Sequence, residues 1–139
     1  MQVITDTIAI SSQGFTDIID VTAKVEAAIH NSGIQSGTVT IFVSGSTAGV
    51  TTIEYEPGLL KDLPEAFEKI APKNARYHHD ATWHDGNGFS HVRAAMLGCS
   101  LTVPFKSQHL LLGTWQQIVI IDFDNRPRNR EIVLQIIGA

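Results

Sequence analysis

Apolar residues recur along this chain with two different periods, and the switches between them divide it into elements. Residues 2–10 and 14–19 are rich in β-branched side chains and are separated by Ser11-Ser12-Gln13-Gly14. That spacing predicts a β-hairpin. Val21, Val25, Ala28 and Ile29 then repeat at three- and four-residue steps. They predict a helix over 21–31, capped by Asp20 and closed at Asn31-Ser32-Gly33. The run 38–43 alternates and then turns wholly apolar, which predicts a buried strand. A second strand is expected over 49–57, stopped by Pro57. Leu59, Leu60, Leu63, Phe67 and Ile70 return to helical spacing, and Pro72 ends that amphipathic helix.

Residues 73–89 carry no periodicity, and a structureless stretch of that length inside a compact domain is uncommon unless it has a role. A short helix is expected over 90–97, closed by Gly98. The remainder reads as strands over 100–105, 109–113, 114–124 and 130–138. Strands in hairpin-like runs, without strict βαβ alternation, predict an α+β fold. The expectation is a single compact domain spanning 1–139, with a mixed, largely antiparallel sheet packed with two to three helices.

Composition narrows the function classes. The chain has 139 residues, 43% hydrophobic and 17% charged, with a formal net charge of −4. Such a length suits one domain, and the negative charge argues against a nucleic-acid binder that works by bulk charge. The N-terminus lacks a basic start and a long apolar core, and no stretch reaches the roughly 18 apolar residues of a membrane span. A soluble, cytoplasmic protein without a membrane partner is therefore expected. The one cysteine, Cys99, lies between Gly98 and Ser100 and is expected to be a small buried residue.

The unpatterned stretch holds the densest chemistry. Tyr77–His91 contains four of the six histidines, at 78, 79, 84 and 91, with Asp80, Asp85 and Asn87 among them. Neutral imidazole binds zinc and similar ions, and carboxylates or amides suit magnesium. The steps of one, five and seven residues match no helical metal motif, so spacing alone leaves a metal site and a polar loop equally open. His91 falls where a helix should begin, and the positive end of a helix favours neutral imidazole. That is the form that binds a metal or takes a proton.

Other candidates lie elsewhere in the chain. Ser44–Gly49 follows a buried strand, and its Ser46 and Thr47 could hold a phosphate; a plain turn explains the segment equally well. Glu54 and Glu56 would share a strand face, as a carboxylate pair or as a solvated surface. Arg126, Arg128 and Arg130 are spaced by two, which in extended chain puts three guanidiniums on one side. The alternative is a basic turn balanced by Asp122, Asp124 and Glu131. Gln116 and Gln117 point to opposite faces of a strand, so one is expected to face inward.

In order, the segments GSTAGVTTIEYEPG, YHHDATWHDGNGFSHVRAAMLG, SLTVPF, LLLGTWQQIVIIDFDNRPRNR and VLQIIG resemble the YjbQ-like proteins. That uncharacterised protein family is also labelled secondary thiamine-phosphate synthase. The resemblance covers nearly the whole chain. It implies a homotrimer, a polar site for a metal or anion near the subunit interface, and weak thiamine-phosphate synthase activity in some members. That reaction joins a pyrimidine pyrophosphate to a thiazole phosphate.

Matched by position, the family pattern falls on Tyr77, His79, Gly86, Asn87 and His91. It also covers Thr47, Ala48, Glu54, residues 113–116, Arg130 and, as its neighbour, Arg128. Many members carry His-Thr-Thr-Ala where this chain has Gly45-Ser46-Thr47-Ala48, so one imidazole is missing. His84 lies outside the pattern, and His78 and His84 rank as bystanders.

The expected catalytic set is His79, His91, Asp85, Asn87 and Glu54, and the expected anion-binding set is Ser46, Thr47, Gln116, Arg128 and Arg130. His79 and His91 are the candidate ligands for a divalent ion (magnesium, zinc or manganese), and the partner is a phosphorylated small molecule. A metal-dependent hydrolase and a non-catalytic trimeric binding protein are the alternatives.

Overall fold

The computed structural model describes residues 1–139. Its elements are β1 (Gln2–Ser12), β2 (Asp17–Asp20), α1 (Thr22–Ser32), β3 (Ser36–Val43), β4 (Ala48–Ile53), α2 (Leu59–Ile70), α3 (His78–Trp83), α4 (Gly88–Leu97), β5 (Ser100–Lys106), β6 (His109–Leu110), β7 (Gln117–Asp122) and β8 (Arg128–Gly138). The strands form two sheets, one in the order β1-β8-β3-β5-β6 and one in the order β2-β7-β4. All six strand pairings are antiparallel. The α+β class is as expected, with the sheet divided in two and four helices in place of two to three.

The division explains why β7 reads as an unbroken apolar run. Ile118 and Ile120 enter one core cluster with Val39, Ile41, Ile132 and Leu134 of the larger sheet. Val119 and Ile121 point the other way, into a second cluster with Phe67 of α2 and Ala94 of α4. A strand covered on both faces has no polar side to show, so the alternation expected of a half-buried strand disappears. All four residues are fully buried. Truncating one to Ala would cost about 2–5 kcal/mol, through lost transfer energy and the cavity left behind.

The expected N-terminal hairpin does not form. β1 pairs along its whole length with β8, while β2 pairs with β7 in the other sheet. The chain changes sheet at Gly14, Phe15 and Thr16, all at positive φ. A Cβ on Gly14 would come within 2.5 Å of the Arg126 carbonyl oxygen, so only glycine fits this crossing.

Four further expectations are corrected. The strand expected over 109–113 is only two residues long, and the run 114–124 becomes strand only at Gln117 because Thr114 and Trp115 form a turn. The strand expected to reach Pro57 ends at Ile53, so Glu54 and Glu56 do not share a strand face. Glu56 instead accepts the backbone N–H groups of Gly58 and Leu59 at the start of α2. Cys99 is exposed, in the open link between α4 and β5. No helix is long and apolar enough to cross a membrane.

Candidate functional site

Antiparallel pairing brings four chain segments to one end of the molecule. β3 ends at Val43, β4 begins at Ala48, β7 ends at Asp122 and β8 begins at Arg128, with Ala48 opposite Asp122 and Val43 opposite Ile132. The connections between them, with the start of α4, enclose a cleft of about 450 Å3 whose twelve lining residues include no hydrophobic one.

One wall is a closed ionic network. Asp122 is fully buried and accepts from Arg130 Nε (2.6 Å), Arg130 Nη2 (3.0 Å) and Ser12 Oγ (2.7 Å). Arg130 Nη2 also donates to Thr47 Oγ1 at 2.7 Å, and Thr47 Oγ1 donates to Asp124 at 3.3 Å. Asp124 accepts from the backbone N–H of Asn125 and is paired with Arg128 Nη1. Burial opposes its ionisation most strongly, but the Asn125 N–H and the Arg128 guanidinium outweigh it and hold the carboxyl below its ordinary range. Buried charges persist only when paired and hydrogen-bonded in this way.

The other wall carries the histidines. The expected loop over 73–89 contains α3, and α4 begins at Gly88, two residues before its expected start. Asp80 accepts the Gly88 N–H at 2.8 Å, which ties α3 to the start of α4. A Cβ on Gly88 would lie 2.4 Å from Tyr77 Cβ, so this glycine permits the close approach. His91 follows in the first turn of α4, and its ring lies 4.2 Å from that of His79 between centroids.

Asn87 sits 3.0 Å from His79 Nε2. With its amide nitrogen turned inward it donates to both oxygens of Asp85, at 3.0 and 3.2 Å, and to His79 Nε2. The reverse orientation, which would point Nδ2 at Asp124 over 3.5 Å, leaves acceptor facing acceptor and is disfavoured. His79 Nε2 then carries the lone pair. Burial, and secondarily the neighbouring His79, push the His91 pKa below its ordinary value; Asp85, Asp124 and Asp80 pull it back less strongly. The pair therefore favours one neutral imidazole facing the cleft, the state suited to a general base.

Of the residues expected from the sequence, Ser46, Thr47, Asp85, Asn87, His91, Arg128 and Arg130 line the cleft, and His79 stands directly behind His91 and Asn87. Glu54 and Gln116 are not brought there within one chain. Glu54 lies past the far end of β4, roughly 20 Å along the strand from Thr47. Gln116 is exposed beside it, accepting from Gly113 N–H and donating to Thr52 Oγ1. Gln117 is the half-buried member of that amide pair. His78 is exposed at the start of α3, and His84 is exposed at its left-handed C-cap.

Arg130 is less free than its spacing suggested, because two of its nitrogens are held by Asp122 and Thr47. Arg126 lines the cleft, is exposed and has no ionic partner. Asp122 and Asp124 were legible only as counter-charges to the arginines, and Asn125 was not singled out. The signal of the two aspartates was the Asp-x-Asp step facing Arg-x-Arg across the β7–β8 connection.

A family model described as UPF0047 protein YjbQ-like matches residues 6–139. The chain belongs to the YjbQ-like UPF0047 family. A UPF0047 protein of Methanothermobacter thermautotrophicus is 36% identical over 138 residues, covering 99% of this chain and 94% of that one. UPF0047 protein YugU of Bacillus subtilis is 33% identical, over 95% and 98% of the two chains. Among solved structures, a YbjQ-like protein of unknown function from Sulfolobus solfataricus superposes with a TM-score of 0.92 at 30% identity, covering 99% of each chain. The fold is thus shared across nearly the whole length of the chain.

A divalent ion in the cleft would need three converging ligand atoms. His79, His91 and Asp85 have suitable donor chemistry. Yet the carboxylate and imidazole trio whose ligand atoms converge within 4.8 Å is Glu26, His30 and His109, outside the cleft. The cleft as it stands does not close around an ion through three such ligands.

Proposed function

We propose that the cleft is the catalytic site of an enzyme acting on a phosphorylated small molecule, with thiamine-phosphate synthase-like transfer as the specific reaction. The observation that carries this reading is the pairing of two unlike walls across one polar space. A neutral-biased His91 braced by His79 faces Arg126, Arg128 and the Ser44–Ser46 turn. In the transfer, the C–O bond to the pyrimidine's pyrophosphate breaks, pyrophosphate leaves, and the thiazole nitrogen bonds to the freed carbon. Arginines and hydroxyls would stabilise the charge gathering on the departing pyrophosphate. A neutral His91, held in place by Asn87, Asp85 and His79, would accept a hydrogen bond from the substrate beside the reacting centre and orient it.

A shelf of about 400 Å3 lined by Ala48, Ala94, Ala95, Gly98 and Cys99 adjoins the cleft at Gly45, Ser46 and His91. It suits an uncharged heteroaromatic ring attached to the phosphate held in the cleft. The expected homotrimer belongs to the same proposal, since Glu54 and Gln116 could meet a cleft only in a neighbouring copy. Sedimentation of the full chain tests that part: a monomer at micromolar concentration removes it.

The enzymatic reading is tested by supplying both substrates with magnesium and measuring thiamine phosphate. Turnover well above a His91→Ala control supports it, and equal rates in the two proteins reject it. No feature of the cleft favours a hydrolase or a non-catalytic assembly protein over this reading.

A further inference from the structure

The cluster at Glu26, His30 and His109 lies far from the cleft and has a different character. Glu26 and His30 are one turn apart on α1, so their side chains share a face. His109 comes from β6, 79 residues beyond His30, across a two-residue turn in which Ser107 and Gln108 both adopt positive φ. Such turns hold a hairpin tightly. This one pairs Lys106 with His109 and is fastened to the link between α1 and β3: Gln108 N–H donates to Gln35 O at 2.9 Å. The hairpin lies at the Ser36 end of β3, whereas the cleft lies beyond Val43, so roughly 25 Å of strand separates them.

One ligand atom from each of the three residues falls within 4.8 Å of the other two. His109 Nδ1 is 3.0 Å from Glu26 Oε1, and the two imidazole rings stand edge to face, 5.7 Å between centroids at 79°. Bonds of about 2.0–2.1 Å around a tetrahedral zinc place ligand atoms roughly 3.4 Å apart. The cluster therefore needs only small side-chain rotations to close, and its two histidines are exposed and free to make them. A further contact points the same way. His30 Nδ1 lies 3.2 Å from Gln108 Oε1. An acceptor there fixes the proton on Nδ1 and leaves Nε2 with the lone pair, the arrangement by which metal-bound imidazoles are oriented.

We propose that Glu26, His30 and His109 form a zinc site, with two imidazoles, one carboxylate and a fourth position left to water. Ligands of this type select a borderline divalent ion over magnesium or calcium. On binding, His109 Nδ1 turns its lone pair to the ion with the ring proton on Nε2, and the ion ties the C-terminal turn of α1 to the β5–β6 hairpin.

The test is a titration of the full chain with zinc chloride, followed through the side-chain nitrogen signals of all six histidines by NMR. The signals of His30 and His109 are expected to shift and saturate at one equivalent, with micromolar affinity. His30→Ala and His109→Ala are each expected to weaken binding by at least about 100-fold, the upper end of what losing a mere supporting group costs. Both residues are exposed, so neither substitution threatens the fold, and an unchanged far-ultraviolet spectrum checks this. The proposal is overturned if those two signals stay still at one equivalent, if they move only at millimolar metal, or if His109→Ala binds zinc as tightly as the natural chain.

Discussion

The two walls of the cleft hold similar residue types in opposite states. On the arginine wall, Asp122 and Asp124 are buried and almost every charge has found a partner. On the histidine wall, His79 and His91 touch, and Asp85 remains largely exposed. A satisfied buried network resists change because each lost partner leaves an uncompensated charge. A pair of imidazoles with a spare lone pair can still take up a proton or a ligand. Shape is thus held by one wall and reactivity is kept by the other. Arg126 is the exception on the arginine wall, since its guanidinium is left over.

The largest effect should come from breaking the closed wall. Arg130→Ala leaves Asp122 buried without its main partner and is expected to destabilise the protein by about 3–5 kcal/mol. Urea unfolding read by fluorescence checks this; a loss below 1 kcal/mol would mean that the wall is not structural. The open wall should behave in the reverse way. His91→Ala is expected to lower turnover by about 100-fold or more while leaving unfolding within about 1 kcal/mol. A variant that loses both together would erase the distinction between the walls.

A smaller effect is expected at Arg126. Arg126→Ala should weaken inorganic pyrophosphate binding about tenfold, equivalent to about 1.4 kcal/mol, with unfolding unchanged. Calorimetry measures the first quantity and urea the second.

The subtlest prediction concerns pH. The His91 pKa is lowered on folding, so between its folded value and the usual value of 6.5 the unfolded chain binds the extra proton. Its contribution to stability is then fully present above pH 6.5 and is lost as pH falls through the folded value. Asp124 is also lowered, so its contribution is present above its ordinary 3.8 and is lost at more acid pH. Unfolding measured in steps from pH 8 to pH 4 should be flat at first and decline below 6.5, and His91→Ala should flatten the upper part of that decline.

Legibility in the sequence followed the range of the interactions. Helices α1 and α2 and the buried strand β7 were readable because a local apolar pattern determines them. The N-terminal hairpin failed because β1 finds its partner in β8, at the other end of the chain. Helix α3 was invisible to periodicity because none of its residues is buried, so it has no apolar face to display. Cys99 was misjudged from its small and apolar neighbours, which belong to an open link between elements. Within the cleft, His79, Asn87 and His91 stood out because they lie in one short stretch. The Asp122–Arg130–Thr47 network spans three segments and showed only as a balance of charges. Glu54 and Gln116 matched the family pattern in sequence, yet both lie at the far end of β4.

The most direct test of the two-walled cleft is an NMR titration of the natural chain with inorganic pyrophosphate. Saturable shifts are predicted at Ser46, Asn87, His91, Asn125 and Arg126, with little change at the buried Asp122–Arg130 pair. Shifts confined to residues outside the cleft, or none at millimolar ligand, would contradict it.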